Sequence, residues 1–262
     1  MKDMMIGVDL AKNVFQVHGA LRAGEIQFRK KLTRKQFTAF MARQDPCLVI
    51  FAACGRAHYW AREMASLGHV VKLIAPQYAR PFVKRQKNDA ADAEAIVIAA
   101  RQPEMRFVAP KTVEQQSQAA VVRGRERLVH QRTADVNALR ALLYEHGYVF
   151  PAGIRYLNRM TALVEDEASD LPALIREECQ DLLAQIAEKT ARIIERTAKL
   201  KTLAAESDRA RRLQTMPGVG PLTAVAVEAV GPDMTQFKTG RDFAAWLGLV
   251  PKQHSSGGKE RL

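Results

Sequence analysis

Apolar and polar residues follow two different rhythms along the chain, and the change falls near residue 112. Residues 4–10, MMIGVDL, make a short apolar run of strand length. Residues 13–20, NVFQVHGA, and 25–31, EIQFRKK, alternate with period two, which sends successive side chains to opposite faces of a strand. Links this short predict a three-stranded antiparallel meander. Residues 33–43 have helical spacing, with Thr33 as the N-cap. An apolar strand follows at 47–54, then a helix at 57–67, a strand at 70–75, and an alanine-rich helix that holds Asp89 and Asp92. Three hairpin strands followed by βαβα is the order of an RNase H-like domain. The first region, 1–110, therefore reads as an α/β domain with a mixed five-stranded sheet.

Beyond residue 112 the strand signals stop. Residues 113–146 and 168–206 read as long helices rich in Arg, Glu, Lys, Leu and Ala, with the Gly- and Pro-containing stretch GYVFPAGIRYL (147–157) as the turn between them. This predicts an all-α coiled-coil region over 111–206. Its function is an oligomerisation arm or a nucleic-acid clamp; the alternative is a helical subdomain with solvated charges. The third region, 207–262, contains MPGVGPLTAVAVEAVG at 216–231. A Pro-Gly-Val-Gly-Pro turn before a small-residue helix predicts a helix-hairpin-helix, in which Gly218 and Gly220 let backbone N–H groups approach a phosphate. A tight turn between two packed helices is the plainer alternative. An apolar helix and a polar tail with Lys252 and Lys259 complete the chain.

Charge narrows the partners. Forty Lys and Arg against 28 Asp and Glu leave a net charge of +12, which favours a polyanion, most simply nucleic acid. Hydrophobic residues make up 47% of the chain, enough for a packed core. Cys47, Cys54 and Cys179 show no CxxC spacing, which argues against zinc, and their odd count suits a reducing cytoplasm. There is no signal-peptide pattern and no apolar run of about 18 residues to span a bilayer.

The stretch QKNDAADAEAI (86–96) carries the chemistry. Asp89 and Asp92 are three residues apart, so on a helix they share a face, where they repel. A cation between them resolves the repulsion. Asp9, at the end of the first apolar strand, is the natural third ligand for Mg²⁺ or Mn²⁺. Singly, Asp89 also reads as a helix-cap or first-turn acid, Asp92 as a solvated acid and Asp9 as a strand-end residue. Glu94 lies two residues beyond Asp92 and points to another face. Arg85 and Lys87, just before the helix, are placed to hold phosphate near the cation. His58 reads as packing at a helix start.

Several stretches together, GVDLAKNVFQVHG, CGRAHYWAREMASLGHVVKLIAPQYARPFVK, KNDAADAEAI, MPGVGPLTAVAV and AAWLGLVPKQHSSGGKERL, closely resemble the DEDD-type serine transposases. These are insertion-sequence recombinases related to the Piv DNA invertase. The resemblance runs from end to end. It implies an RNase H-like domain, a helical coiled-coil linker and a C-terminal transposase domain with a nucleophilic serine. It also implies DNA partners (element ends and target), a structured guide RNA, a homo-oligomer (dimer or tetramer), and a place at the bacterial nucleoid. The carried-over acids are Asp9, Asp89 and Asp92, as metal ligands. The family's glutamate aligns with Ala52, so one of four acids is absent. The family's serine, in a Ser-Gly motif after GLxP, is Ser256, with Ser255 beside it. Family members continue past GGKERL, so the resemblance implies a shortened C-terminus. Ala52 and that end together imply a chain inactive in strand cleavage, and a nucleic-acid-binding remnant is the competing expectation.

Overall fold

A computed structural model describes residues 3–84, 88–232 and 234–251, together with the backbone of the strands His254–Ser256 and Lys259–Arg261. The chain divides into two compact units, one formed by 1–112 with 232–262 and the other by 113–231.

The first unit is built on a mixed sheet of β1 (Met4–Leu10), β2 (Val14–Leu21), β3 (Ile26–Thr33), β4 (Leu48–Ala52), β5 (Val70–Ile74) and β6 (Phe107–Val108). Their order is β3-β2-β1-β4-β5-β6. The first three strands form the predicted antiparallel meander, and β1, β4 and β5 run parallel. The sheet has six strands, not the five expected. The sixth pairs only through Leu73–Val108 and Ile74–Phe107, antiparallel to β5. Two residues are too few to show a period, so the pattern hid it. Lys72 covers this edge, its Nζ 4.3 Å from the Phe107 ring.

Helices α1 (Arg34–Met41), α2 (Ala57–Ser66), α3 (Pro76–Ala79) and α4 (Asp89–Ala100) complete this unit's α/β part. Thr33 caps α1 in a reciprocal capping box with Gln36. Because strand side chains alternate, the sheet has two cores. Phe15, Phe37, Phe51 and Trp60 fill the face under α1 and α2, with Phe15 and Trp60 edge-on at 4.9 Å. Met5, Ile50, Ile74, Ile96 and Val97 fill the face under α4. Buried His69 ties the first core's rim: Cys47 N–H donates to its Nδ1 at 3.4 Å, and its Nε2 lies 3.1 Å from the Met41 carbonyl. Burial pushes the Cys47 thiol up to about 11, so it is an inert core group.

The second unit contains α5 (Val113–Glu145), α6 (Leu157–Glu165), α7 (Ala173–Glu206), α8 (Asp208–Leu213) and α9 (Pro221–Val230). Helices α5 and α7 pack antiparallel: Arg125 donates to Thr197 at 2.8 Å, and Arg132, farther along α5, to Thr190, farther back on α7. The buried α7 residues Cys179, Ile186, Ile193 and Leu200 fall seven apart, a seam that stays on one face. Two expectations are corrected here. Residues 147–156 do form the connection, with a short 3-10 turn at Ile154–Tyr156, but it does not lead straight into the second long helix: α6 begins at Leu157 and buries Met160 and Val164 against Leu139 and Leu143. Helix α7 begins at Ala173 rather than 168, because Pro172 lacks the N–H that a helix interior requires. Between α8 and α9, Gly218 adopts φ +84°, and Gly220 precedes Pro221 at the first position of α9.

Residues 232–251 carry α10 (Gly240–Trp246), capped by Thr239 and Asp242, with Phe237, Phe243 and Trp246 in mutual ring contact. After them β7 (His254–Ser256) pairs antiparallel with β8 (Lys259–Arg261). No helix of the described residues is long and apolar enough to cross a membrane.

Candidate metal centre

The centre lies at the carboxyl end of β1. Odd-numbered residues of this strand face α4, as Met5 in that core shows. Gly7 makes the approach close. A Cβ built on it would lie 2.6 Å from the Ala93 carbonyl oxygen and 2.6 Å from Val97 Cγ2. No other residue fits there, and the missing side chain lets α4 sit directly on the strand. Asp9, two residues on, therefore points toward the same helix.

The first turn of α4 supplies the other two acids. Asn88 is its N-cap, and the Asn88 side-chain oxygen accepts from Ala91 N–H at 2.8 Å. Asp89 and Asp92 follow in the first turn, where the helix dipole favours negative charge. Carboxylate oxygens of Asp9, Asp89 and Asp92 all lie within 4.8 Å of one another. Asp89 is exposed, and the other two are half-buried. Burial, and then the charges of Asp92 and Asp89, hold the Asp9 carboxyl above its ordinary range; Arg56 and a backbone hydrogen bond at Leu10 act against this. These are hard oxygen donors whose mutual repulsion is only partly offset, at a spacing one small divalent cation can bridge. The residues fit Mg²⁺ or Mn²⁺.

Ala52 completes the picture by what it lacks. It packs with Ile50 and Ile74 on the α4 side of the sheet. The parallel register pairs Gly7 with Ile50 and Val8 with Phe51; one residue further sets Asp9 beside Ala52. Neighbouring strands lie about 4.8 Å apart. Position 52 thus faces the same space as Asp9, and a longer acidic side chain there would enter the cluster.

The remaining sequence-predicted residues are distributed as follows. Arg85, Lys87 and Lys252 lie outside the described residues. Ser255 and Ser256 lie in β7, paired with Glu260 and Lys259, and are described in backbone only. Gly218 and Gly220 flank the α8–α9 turn in the other unit. His58 Nδ1 accepts from Lys111 N–H at 3.0 Å, a packing role. Glu94 turns away from the cluster to Lys84 at 2.7 Å and Arg29 at 3.3 Å. Sequence reasoning missed Gly7 and Arg56. Their only signals are a glycine two residues before a strand-end aspartate and a Cys-Gly-Arg directly beyond β4.

Comparison with known proteins defines the class. Residues 6–147 match the IS110 DEDD transposase family, and residues 210–262 match the Transposase IS116/IS110/IS902 family. The chain belongs to this family of insertion-sequence transposases, whose DEDD chemistry implies a divalent metal. A probable family 20 transposase of Pseudomonas aeruginosa is 47% identical over 98% of this chain and 77% of its own length. The transposase for insertion sequence element IS1328 of Yersinia enterocolitica is 40% identical over 98% of this chain and 77% of its own. The corresponding protein for IS1111A of Coxiella burnetii is 39% identical over 100% and 72%.

Proposed function

We propose that this protein is a DNA transposase of an insertion sequence, carrying out metal-dependent strand cleavage and exchange with a serine nucleophile under the guidance of a structured RNA. The observation that carries the reading is the convergence of Asp9, Asp89 and Asp92 from a strand end and a helix start. Asp9, Asp89 and Asp92 would hold a divalent cation, which would supply Lewis-acid polarisation of the scissile phosphate. The chain's own groups do the rest. The three carboxylates fix the charge geometry of the site. Arg85 and Lys87, with Arg56 beside Asp9, hold phosphate oxygens. Ser256 Oγ attacks phosphorus, an Oγ–P bond forms, one P–O ester bond breaks, and the leaving sugar oxygen takes a proton from solvent while the serine proton passes to solvent. Gly218 and Gly220 at the α8–α9 turn, and Lys252 and Lys259 in the tail, bind nucleic-acid backbones. The long α5–α7 pair acts as a coiled coil that assembles a dimer or tetramer. The working place is the cytoplasm of a bacterial cell, on the nucleoid.

Ala52 favours a second reading, a relative that binds DNA and RNA without cutting. Three carboxylates leave the cation less charge to balance and one ligand fewer than the family's four. A supercoiled-plasmid recombination assay separates the two readings. If the site is as described, Ala52→Glu raises strand cleavage, Asp89→Asn in that background removes it, and Ser256→Ala abolishes a denaturation-resistant DNA adduct while leaving DNA binding intact. An adduct that survives Ser256→Ala but vanishes in Ser255→Ala assigns the nucleophile to the neighbouring serine. DNA affinity that does not fall with salt counts against phosphate-mediated binding altogether.

A further inference from the structure

Glu94 sits next to the acidic cluster in sequence and is not part of it. Its side chain is 16% exposed, although it stands on the same helix as two other acids. Oε1 accepts from Lys84 Nζ at 2.7 Å, and Oε2 accepts from Arg29 Nη2 at 3.3 Å. Arg29 is on β3, where it pairs across the sheet with His18 of β2. Its Nε donates to His18 Nδ1 at 3.4 Å, and burial keeps that imidazole below its ordinary range, so it accepts as the neutral ring. One carboxylate therefore joins three pieces of structure: the middle of α4, the outer strand β3 of the meander, and Lys84 ahead of α4.

The cluster needs such a tie. Asp89 and Asp92 carry the same charge as Asp9, with carboxylate oxygens within 4.8 Å of one another, so electrostatics opposes seating the first turn of α4 on β1. Gly7 gives α4 its close seat over Ala93 and Val97 but offers no attraction of its own. Glu94, one residue beyond Ala93, supplies it on the flank. We infer that Glu94, through Lys84 and Arg29, is a positioning residue that holds the first turn of α4 against β1 so that Asp89 and Asp92 meet Asp9. This inference rests on the metal reading of the cluster.

The test separates a tether from a simple charge effect. Glu94→Gln removes a negative charge near the cluster, so weaker cation binding would follow from either cause. Lys84→Gln removes a positive charge. Long-range electrostatics alone then predicts tighter binding, whereas the tether predicts weaker binding. Lys84 is 68% exposed, so its substitution leaves the fold in place. The experiment is Mn²⁺ titration of the full chain, well below the melting temperature, for the wild type, Glu94→Gln, Lys84→Gln and Asp89→Asn. A control substitution in the other unit, Leu139→Ala, shows what lost stability alone does. The expected result is Mn²⁺ binding about two- to fivefold weaker in both Glu94→Gln and Lys84→Gln, the range that partly exposed ion pairs support, and unchanged in Leu139→Ala. Tighter or unchanged binding in Lys84→Gln overturns the tether while the metal site stands. A wild type that binds no Mn²⁺, or binds it equally well as Asp89→Asn, overturns the metal reading and the tether with it.

Discussion

The two units differ in where like charges meet. In the helical unit, polar groups reach across between α5 and α7: Arg125 donates to Thr197, Arg132 donates to Thr190, and Lys189 Nζ lies 2.9 Å from Asp135 Oδ2. Such pairs favour one register between α5 and α7, whose own buried seam repeats every seven residues. In the sheet unit three carboxylates of one sign converge, and the nearby Arg56 leaves Asp9 still shifted upward. Cross-helix polar pairs serve architecture, because they favour one alignment of the two helices. Like charges forced together cost stability, and such clusters concentrate at functional sites. The same contrast appears in the backbone. Helix α4 is seated by a glycine with no room for a Cβ, whereas the α5–α7 seam is held by side chains that interlock.

Substitutions sharpen this contrast, from the largest effect down. Gly7→Val should cost about 3 kcal/mol or more, because the new side chain meets the Ala93 carbonyl and Val97. It should also abolish cation binding, which thermal melts with and without Mn²⁺ will show. Leu139→Ala, in the fully buried cluster with Leu143 and Ile186, should cost about 3 kcal/mol by denaturant titration. Its effect should stay in the helical unit and leave cation affinity alone. Thr197→Val should cost about 1 kcal/mol, since it strips the partner from Arg125 Nε.

The smallest effect has the opposite sign. Asp9→Asn should raise the stability of the metal-free protein by up to about 1 kcal/mol, because it removes one member of a repelling set. The pH dependence follows from the same shift. A carboxyl raised in the folded state binds its proton there more tightly than in the unfolded chain. Its contribution to stability therefore grows as pH falls through the raised value toward the unfolded value near 3.8. Melts between pH 7 and 4 should show this gain in the wild type and not in Asp9→Asn. Divalent metal should reverse the ranking, stabilising the wild type alone.

Much of the sheet unit is legible in the sequence, because its strands are buried on one face or both and their periods are clean. Thr33 as a cap, the meander and the D…D-x-x-D spacing all follow from local chemistry. The tertiary close approach is not legible. Nothing in GVDL alone says that Gly7 carries a helix on its α face, and nothing in AEAI says that Glu94 reaches two strands away. Strand β6 escaped because two residues carry no period, and α6 because Gly153 and Pro151 mask the helical spacing that starts just after them. Arg56 near Asp9 depends on where β4 ends in space, which no window of sequence shows.

The central claim is that Asp9, Asp89 and Asp92 form a cation site and that position 52 looks into it. Calorimetric titration of Mg²⁺ and Mn²⁺ into the wild type, Asp89→Asn and Ala52→Glu tests it directly. The account predicts measurable binding to the wild type, none to Asp89→Asn, and binding about tenfold tighter to Ala52→Glu, as one added carboxylate ligand would give. Equal or weaker binding by Ala52→Glu, or no binding by the wild type, would contradict it.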